Sequence, residues 1–279
     1  MPISTEEFNL LRDFIIKHSE IDVKPEKTYL LESRLTRMMV EMGATNFKEF
    51  YLNAQKDTSG KLRERIIDAM TTNETFWFRD SKPWSLMKET ILPQLIELIR
   101  TRAKTRIRIW SAACSTGQEP YSIAMLLDDY ISTKRPAGVS MDNFEILATD
   151  ISPSVLFLAN SGRYNQLAMS RGLSEEFKTK YFNTNGKIWE VSPALKKRIT
   201  FKKFNLQDHP SALGSFEFIL CRNVAIYFSD VFKKELFKRI HSVLNPPGYF
   251  LLGASESLVG YSSDFDLVEG QGAIFYKKK

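Results

Sequence analysis

Arg106-Ile107-Arg108-Ile109-Trp110-Ser111-Ala112-Ala113-Cys114-Ser115-Thr116-Gly117-Gln118-Glu119-Pro120-Tyr121 is the stretch whose reading decides the fold. A β-run breaks into a turn of small residues, and an apolar helix from Ser122 to Ile131 follows. A second run, Phe144-Glu145-Ile146-Leu147-Ala148-Thr149-Asp150, ends on a carboxylate. Small residues at a strand–helix turn let a ligand approach the backbone. An acid at the tip of the next strand can accept from ribose hydroxyls, as in open α/β sheets that bind adenine nucleosides at their carboxyl ends. A pyrophosphate needs G-x-G-x-x-G and bare N–H groups at the helix start. Only Gly117 stands in this turn, and Glu119 would repel a phosphate. A cofactor with ribose hydroxyls, a cationic centre and an amino acid tail fits better, and S-adenosylmethionine has all three. An α/β domain whose turn carries no ligand is the competing reading of these two segments.

Working outward, strands and helices alternate. Pro83 to Arg102 reads as a helix, Arg106–Trp110 and Phe144–Thr149 as strands, and Ser152 caps a helix that Pro153 opens. Asn185-Gly186 signals a hairpin between Tyr181-Phe182 and Ile188-Trp189. Ile199–Phe204 and Phe216–Leu220 return as strands, Asp230–Leu244 as a helix, and Tyr249–Leu252 with Ala273–Lys277 as a closing antiparallel pair. The expected fold is α/β, a mostly parallel doubly wound sheet with a small inserted β-subdomain at about 161–204. Ahead of it, an all-α region carries Phe8, Leu11, Ile15 and Ile16, then Leu31, Leu35, Met38 and Met42, at helical spacing. The expected division is 1–72 helical and 73–279 α/β, with the junction falling where ligand clefts commonly form.

Three further blocks are more specific. Thr72-Asn73-Glu74-Thr75-Phe76-Trp77-Phe78-Arg79-Asp80 precedes the first strand, Cys221-Arg222-Asn223-Val224-Ala225-Ile226-Tyr227-Phe228 follows the fourth, and Leu244-Asn245-Pro246-Pro247-Gly248-Tyr249 turns into another. With the Ser111–Tyr121 and Ala148–Asp150 turns, the chain from about Thr5 to Tyr276 closely resembles the chemotaxis receptor methyltransferase family, CheR. The resemblance implies transfer of methyl from S-adenosylmethionine to glutamate side chains of membrane chemoreceptors, leaving γ-glutamyl methyl esters and S-adenosylhomocysteine. It carries cofactor-binding roles onto Asn73, Thr75, Arg79, Glu119, Asp150, Asn205, Leu206, Arg222 and Asn223. Asp150 would take the ribose, Glu119 the cationic end, Asn205 and Leu206 the adenine. Arg79 and Tyr227 are expected to hold the acceptor carboxylate, because an Arg fork gives paired, charge-assisted hydrogen bonds. Lys27, Arg34 and Arg37, beside the apolar stripe of the second helix, are expected to face the acidic receptor, with a solvated helix face as the alternative. Some family members bind a receptor tether peptide on the small subdomain; the short hairpin here, without a further glycine-bearing loop, leaves that open.

The remaining composition narrows the classes. A carboxylate acceptor is already a nucleophile at neutral pH, so no histidine or cysteine cluster is required. The two cysteines, Cys114 and Cys221, read as packing residues, and His18, His209 and His241 show no metal-ligand spacing; no metal is expected. No apolar run approaches spanning length and the N-terminus is acidic, so a cytoplasmic monomer is expected, with a possible regulator on the N-terminal helices. Net charge is +6, and residues 161–205 hold ten Lys and Arg against three Glu. Such a basic stretch suits an acidic protein, a membrane surface or nucleic acid. A base methyltransferase would carry an Asp/Asn/Ser-Pro-Pro-aromatic motif after the fourth strand, where this chain has Arg222-Asn223-Val224-Ala225. Nucleic acid is therefore not the expected partner. A non-catalytic cofactor-binding module is the third reading.

Overall fold

The computed structural model describes residues 2–279. Four helices come first: α1 (Thr5–Ser19), α2 (Thr28–Glu41), α3 (Phe47–Lys56) and α4 (Lys61–Met70). Ser4 and Glu7 close a capping box at the start of α1. Asp57 accepts from the Leu62 amide and so caps α4 from outside. The helices share one core that includes Phe8, Leu11, Leu31, Leu35, Phe50 and Ile66. On α2 the buried stripe runs Leu31, Leu35, Met39 rather than on to Met38 and Met42; Met42 is exposed. A 3-10 turn at Pro25–Lys27, not a helical turn, precedes α2.

The linker leads to α5 (Ser81–Leu86), a π-turn (Met87–Ile91) and α6 (Leu92–Arg100). The sequence predicts one helix here. Pro93, which has no N–H to donate, falls where the π-turn hands over to α6, and the Leu92 amide reaches back to Met87. Then follow β1 (Ile107–Ala112), α7 (Gln118–Lys134), β2 (Phe144–Asp150) and α8 (Pro153–Ser161), capped by Ser152 as expected. The insert comprises β3 (Arg163–Asn165), α9 (Gln166–Met169), α10 (Glu175–Tyr181), β4 (Phe182–Asn185), β5 (Ile188–Val191) and α11 (Pro193–Lys196). Its sheet has the order β3-β5-β4. The hairpin is tighter than the sequence suggests: Asn185 pairs with Ile188, so only Gly186 and Lys187 turn, and Tyr181 ends a helix.

The chain closes with β6 (Ile199–Lys203), β7 (Phe216–Cys221), α12 (Asp230–Val243), β8 (Leu244–Leu251), β9 (Phe265–Gly270) and β10 (Ala273–Lys278). The main sheet has the order β6-β2-β1-β7-β8-β10-β9. Its first five strands are parallel, and β10 runs antiparallel to both neighbours. Every residue of β7 is buried, as expected of a strand covered on both faces. β9 is absent from the sequence reading because it is a half-exposed edge strand without a clean apolar run. Asn245-Pro246-Pro247-Gly248, read as a turn, is an excursion inside β8 that shifts the register between Phe216 and Phe218. The order reverses at β1, where the chain has run outward to β2 and β6 before crossing to β7. Ligands of open α/β sheets sit at such a switch point, at the carboxyl ends of the strands.

Candidate active site

A cleft with about 800 Å³ of empty space, open solvent at its mouth included, lies there. Its walls come from the linker, from the residues following β1, β2, β6 and β7, and from the helical body through Ser19, Ile21 and Met70. The β1–α7 turn contains three left-handed residues, Ala113, Ser115 and Gly117. Ala113 and Ser115 line the cleft. Gly117 has another purpose: a Cβ there would lie 2.9 Å from the Ala159 Cβ, so the glycine lets the turn pack against α8.

Asp150 ends β2, nearly buried, and accepts from the Ser115 amide (2.8 Å) and the Ser152 amide (3.0 Å). Burial raises its pKa, and those amides partly offset the effect. A carboxylate has about four acceptor sites, so two stay available for hydroxyls. Ser115 also donates through Oγ to the Asn73 carbonyl (2.9 Å), which pins the linker to the turn. Asn73, Thr75, Asn205 and Leu206 all line the cleft. The Asn205 amide group, however, donates to the His18 carbonyl at the end of α1 (2.9 Å), so it joins the two bodies as well.

Arg222 belongs to the floor, with Glu119 behind it. The Arg222 side chain is 2% exposed and donates to Glu119 (3.0 Å), Asp80 (3.0 Å) and the Arg79 carbonyl (2.7 Å). Glu119 also accepts from Ser111 (2.8 Å) and does not reach the cleft lining. Arg222, which does line the cleft, is the partner the structure gives it. Two carboxylates thus share one guanidinium. Arg222 Nε has no partner, the one buried side-chain polar atom so left among the described residues.

Asp80, the acid next to Arg79 in the chain, pairs with Arg222 instead. Arg79 donates to the Glu74 carbonyl (2.9 Å), and its guanidinium carbon lies 5.5 Å from the Phe76 ring centroid. It lines the cleft, and among the described residues no carboxylate pairs with it. Tyr227 lines the same wall from a 3-10 turn, and its carbonyl accepts from the Asp22 amide (2.8 Å). Asn223, in a left-handed conformation, also lines the cleft. Trp77 and Phe78 pack on the insert: Trp77 meets Tyr164 and Phe182, and Phe78 meets Phe177.

The three basic residues on and before α2 do not act as a set. Lys27 is exposed and Arg37 pairs with Glu41 at the surface. Arg34 donates to the Met70 and Thr71 carbonyls (2.8 and 3.0 Å) and to Thr72 (3.1 Å), so it holds the end of α4 and the linker. The basic insert is largely neutralised: Arg163, Arg171, Lys178, Lys180, Lys196, Arg198 and Lys203 all pair with acids. Among the described residues no cluster of His, Cys, Asp and Glu suits a metal, and no helix is long and apolar enough to cross a membrane.

Sequence reasoning missed Asp80, Ser115 and Glu256. Asp80 stood beside Arg79 in a quoted block, but its partner lies far along the chain. Only its position after a strand end marked Glu256.

The donor set fits S-adenosylmethionine: a buried acid at the tip of β2 keeps open acceptor sites for ribose hydroxyls, in a cleft at the carboxyl ends of the parallel strands. Residues 73–274 match the family model described as CheR methyltransferase, SAM binding domain, and residues 6–71 match the CheR methyltransferase all-alpha domain. Chemotaxis protein methyltransferase 1 of Pseudomonas aeruginosa is 42% identical over 280 residues, covering 100% of both chains. Chemotaxis protein methyltransferase Cher2 of Pseudomonas putida is 42% identical over 274 residues, covering 98% of both. The relative from Borreliella burgdorferi is 37% identical over 262 residues, covering 92% of this chain and 90% of its own. A buried acid at the tip of β2, a charged floor at the switch point and these full-length matches agree: the chain belongs to the CheR family of S-adenosylmethionine-dependent chemotaxis methyltransferases.

Proposed function

We propose that the protein esterifies glutamate side chains on the cytoplasmic parts of membrane chemoreceptors. The observation that carries the reading is Arg79, a cleft arginine with no carboxylate partner of its own among the described residues. S-adenosylmethionine, when bound, supplies an electrophilic methyl group. Arg79 holds the incoming carboxylate with its free donors, and the Tyr227 hydroxyl adds a neutral one. Asp150 accepts from the ribose; Asn73, Thr75, Asn205, Leu206 and Asn223 enclose the cofactor; Arg222 and Glu119 set the charge of the floor. Catalysis is then alignment and exclusion of water, with no general base, because the acceptor is ionised at neutral pH. The working division is a helical part over 1–72 and a catalytic part over 73–279, acting as a cytoplasmic monomer.

The test is transfer of radiolabelled methyl to receptor-containing membranes, followed by base. A carboxyl ester releases methanol, whereas an N-methyl group stays, and a base-stable label would overturn the reading. Arg79→Ala and Tyr227→Phe should each lower turnover more than cofactor affinity. Loss of cofactor binding by folded Arg79→Ala would move Arg79 into the cofactor pocket.

A further inference from the structure

Glu256, in the loop after β8, accepts four backbone amides on one carboxylate. Oε2 takes Asn223 N (2.6 Å) and Gly253 N (2.8 Å); Oε1 takes Val224 N (3.1 Å) and Ile226 N (3.2 Å). Three of the four belong to the loop after β7 that carries Arg222, Asn223 and Tyr227. Those three amides have no other acceptor among the described residues, and no basic side chain pairs with Glu256. With about four acceptor sites on an ionised carboxylate, none remains for a substrate. Glu256 is therefore unsuited to act as a base or a ligand.

Gly253 adds an independent observation. A Cβ there would lie 2.6 Å from Asn223 Nδ2 and 2.7 Å from Glu256 Oε2. The β8 end is cut back to admit both the Asn223 side chain and the carboxylate that orients it. Asn223 sits at φ 58°, in the left-handed region that asparagine tolerates better than most non-glycine residues.

We propose that Glu256 is a positioning residue for methyl transfer. It clamps the 223–226 backbone by charge-assisted hydrogen bonds and so sets Asn223 against the cofactor and Tyr227 against the acceptor. The proposal rests on the reading above for the acceptor, but not for the cofactor.

The test compares wild type with Glu256→Gln, Glu256→Asp and Gly253→Ala. A Gln amide group turns donors toward amides that need acceptors, so about half of the clamp is lost while size is kept. For Glu256→Gln the expected results are faster hydrogen exchange confined to 222–228, S-adenosylhomocysteine affinity about tenfold weaker, and kcat lower by roughly 100-fold, as for an ångström-scale misplacement. KM for the receptor should stay within about twofold, and Glu256→Asp should recover part of kcat. Gly253→Ala, which keeps the carboxylate but displaces Asn223, should weaken S-adenosylhomocysteine binding in the same direction. Faster local exchange with unchanged kcat and product affinity would make Glu256 merely structural and overturn the proposal. So would losses that only follow the folded fraction. If wild type esterifies no glutamate, the acceptor reading fails by itself, and the calorimetric comparison still decides whether Glu256 positions the cofactor wall.

Discussion

At the scale of single residues, Asp150 separates binding from stability. Its folded pKa lies above the unfolded value because burial disfavours the charge. The native state therefore holds the proton more tightly, and this group's contribution to stability falls as pH rises from the ordinary carboxylate range through its folded pKa. Cofactor affinity should do the opposite, because the ionised form is the acceptor. S-adenosylhomocysteine titrations should show affinity falling on acidification at a pH above about 3.9, the ordinary Asp value. Asp150→Ala should remove that dependence and cost roughly 1.5–3 kcal/mol of binding. Affinity unchanged by the substitution would take Asp150 out of the site. The two cysteines give a complementary expectation. Burial pushes both thiols well above their ordinary pKa, with Asp150 adding for Cys114 and Glu256 for Cys221. An alkylating reagent at pH 8 should leave native protein unlabelled and active, and modify both after denaturation. Rapid native labelling would mean that the strand ends open.

Among elements, the linker between α4 and α5 is the piece that most contacts converge on. Arg34 holds it from the helical body, Ser115 from β1, and the insert from the far side. Gly172 is the tightest of these approaches: a Cβ would meet the Trp77 carbonyl at 1.8 Å, and its φ of +82° is strained for any other residue. Gly172→Ala should therefore destabilise the protein by about 1–3 kcal/mol and lower turnover with it, measured by thermal melts beside initial rates. Arg34→Ala should cost about 1–2 kcal/mol and weaken cofactor binding, because three hydrogen bonds to the linker are lost. An Arg34→Ala protein with normal melting and cofactor affinity but a raised receptor KM would restore Arg34 to a docking role. Reversing Arg34 and Arg37 together mixes these effects, so Lys27→Glu with Arg37→Glu is the cleaner docking test.

For the molecule as a whole, the two bodies are joined where the cofactor cleft lies. Asn205 and Gln207 accept the end of α1 by donating to His18, Ile16 and Lys17 carbonyls, Asp22 donates to Tyr227, and Ser154 donates to Asp68. Charge is distributed more evenly than composition suggests, since seven of the ten basic residues of 161–205 are paired. Surface pairs of this kind contribute little to stability, but they shrink the long-range field. Methylation of receptor membranes should therefore slow only modestly, through apparent KM, as added salt shortens the Debye length from about 10 Å to about 3 Å. A steep loss would mean that unpaired lysines such as Lys187, Lys197 and Lys202 dominate encounter; no loss would mean that docking is apolar.

Periodicity, turn chemistry and the motif blocks determined the alternating α/β order, the helical start, the Ser152 cap and the cofactor class, because each is written within a few neighbouring residues. The motif blocks and the resemblance they carry also marked Asn73, Thr75, Arg79, Asp150, Asn205, Leu206, Arg222, Asn223 and Tyr227, all of which line one cleft. Only the tertiary structure decided which charge meets which. Arg222 finds Asp80 across 142 positions and Glu119 across 103. That pairing leaves Arg79 without an acid and draws Glu119 below the cleft, while the Met70, Thr71 and Thr72 oxygens turn Arg34 inward. A residue's charge and propensity belong to the residue, but its partner is set by strands and helices brought together from distant parts of the chain.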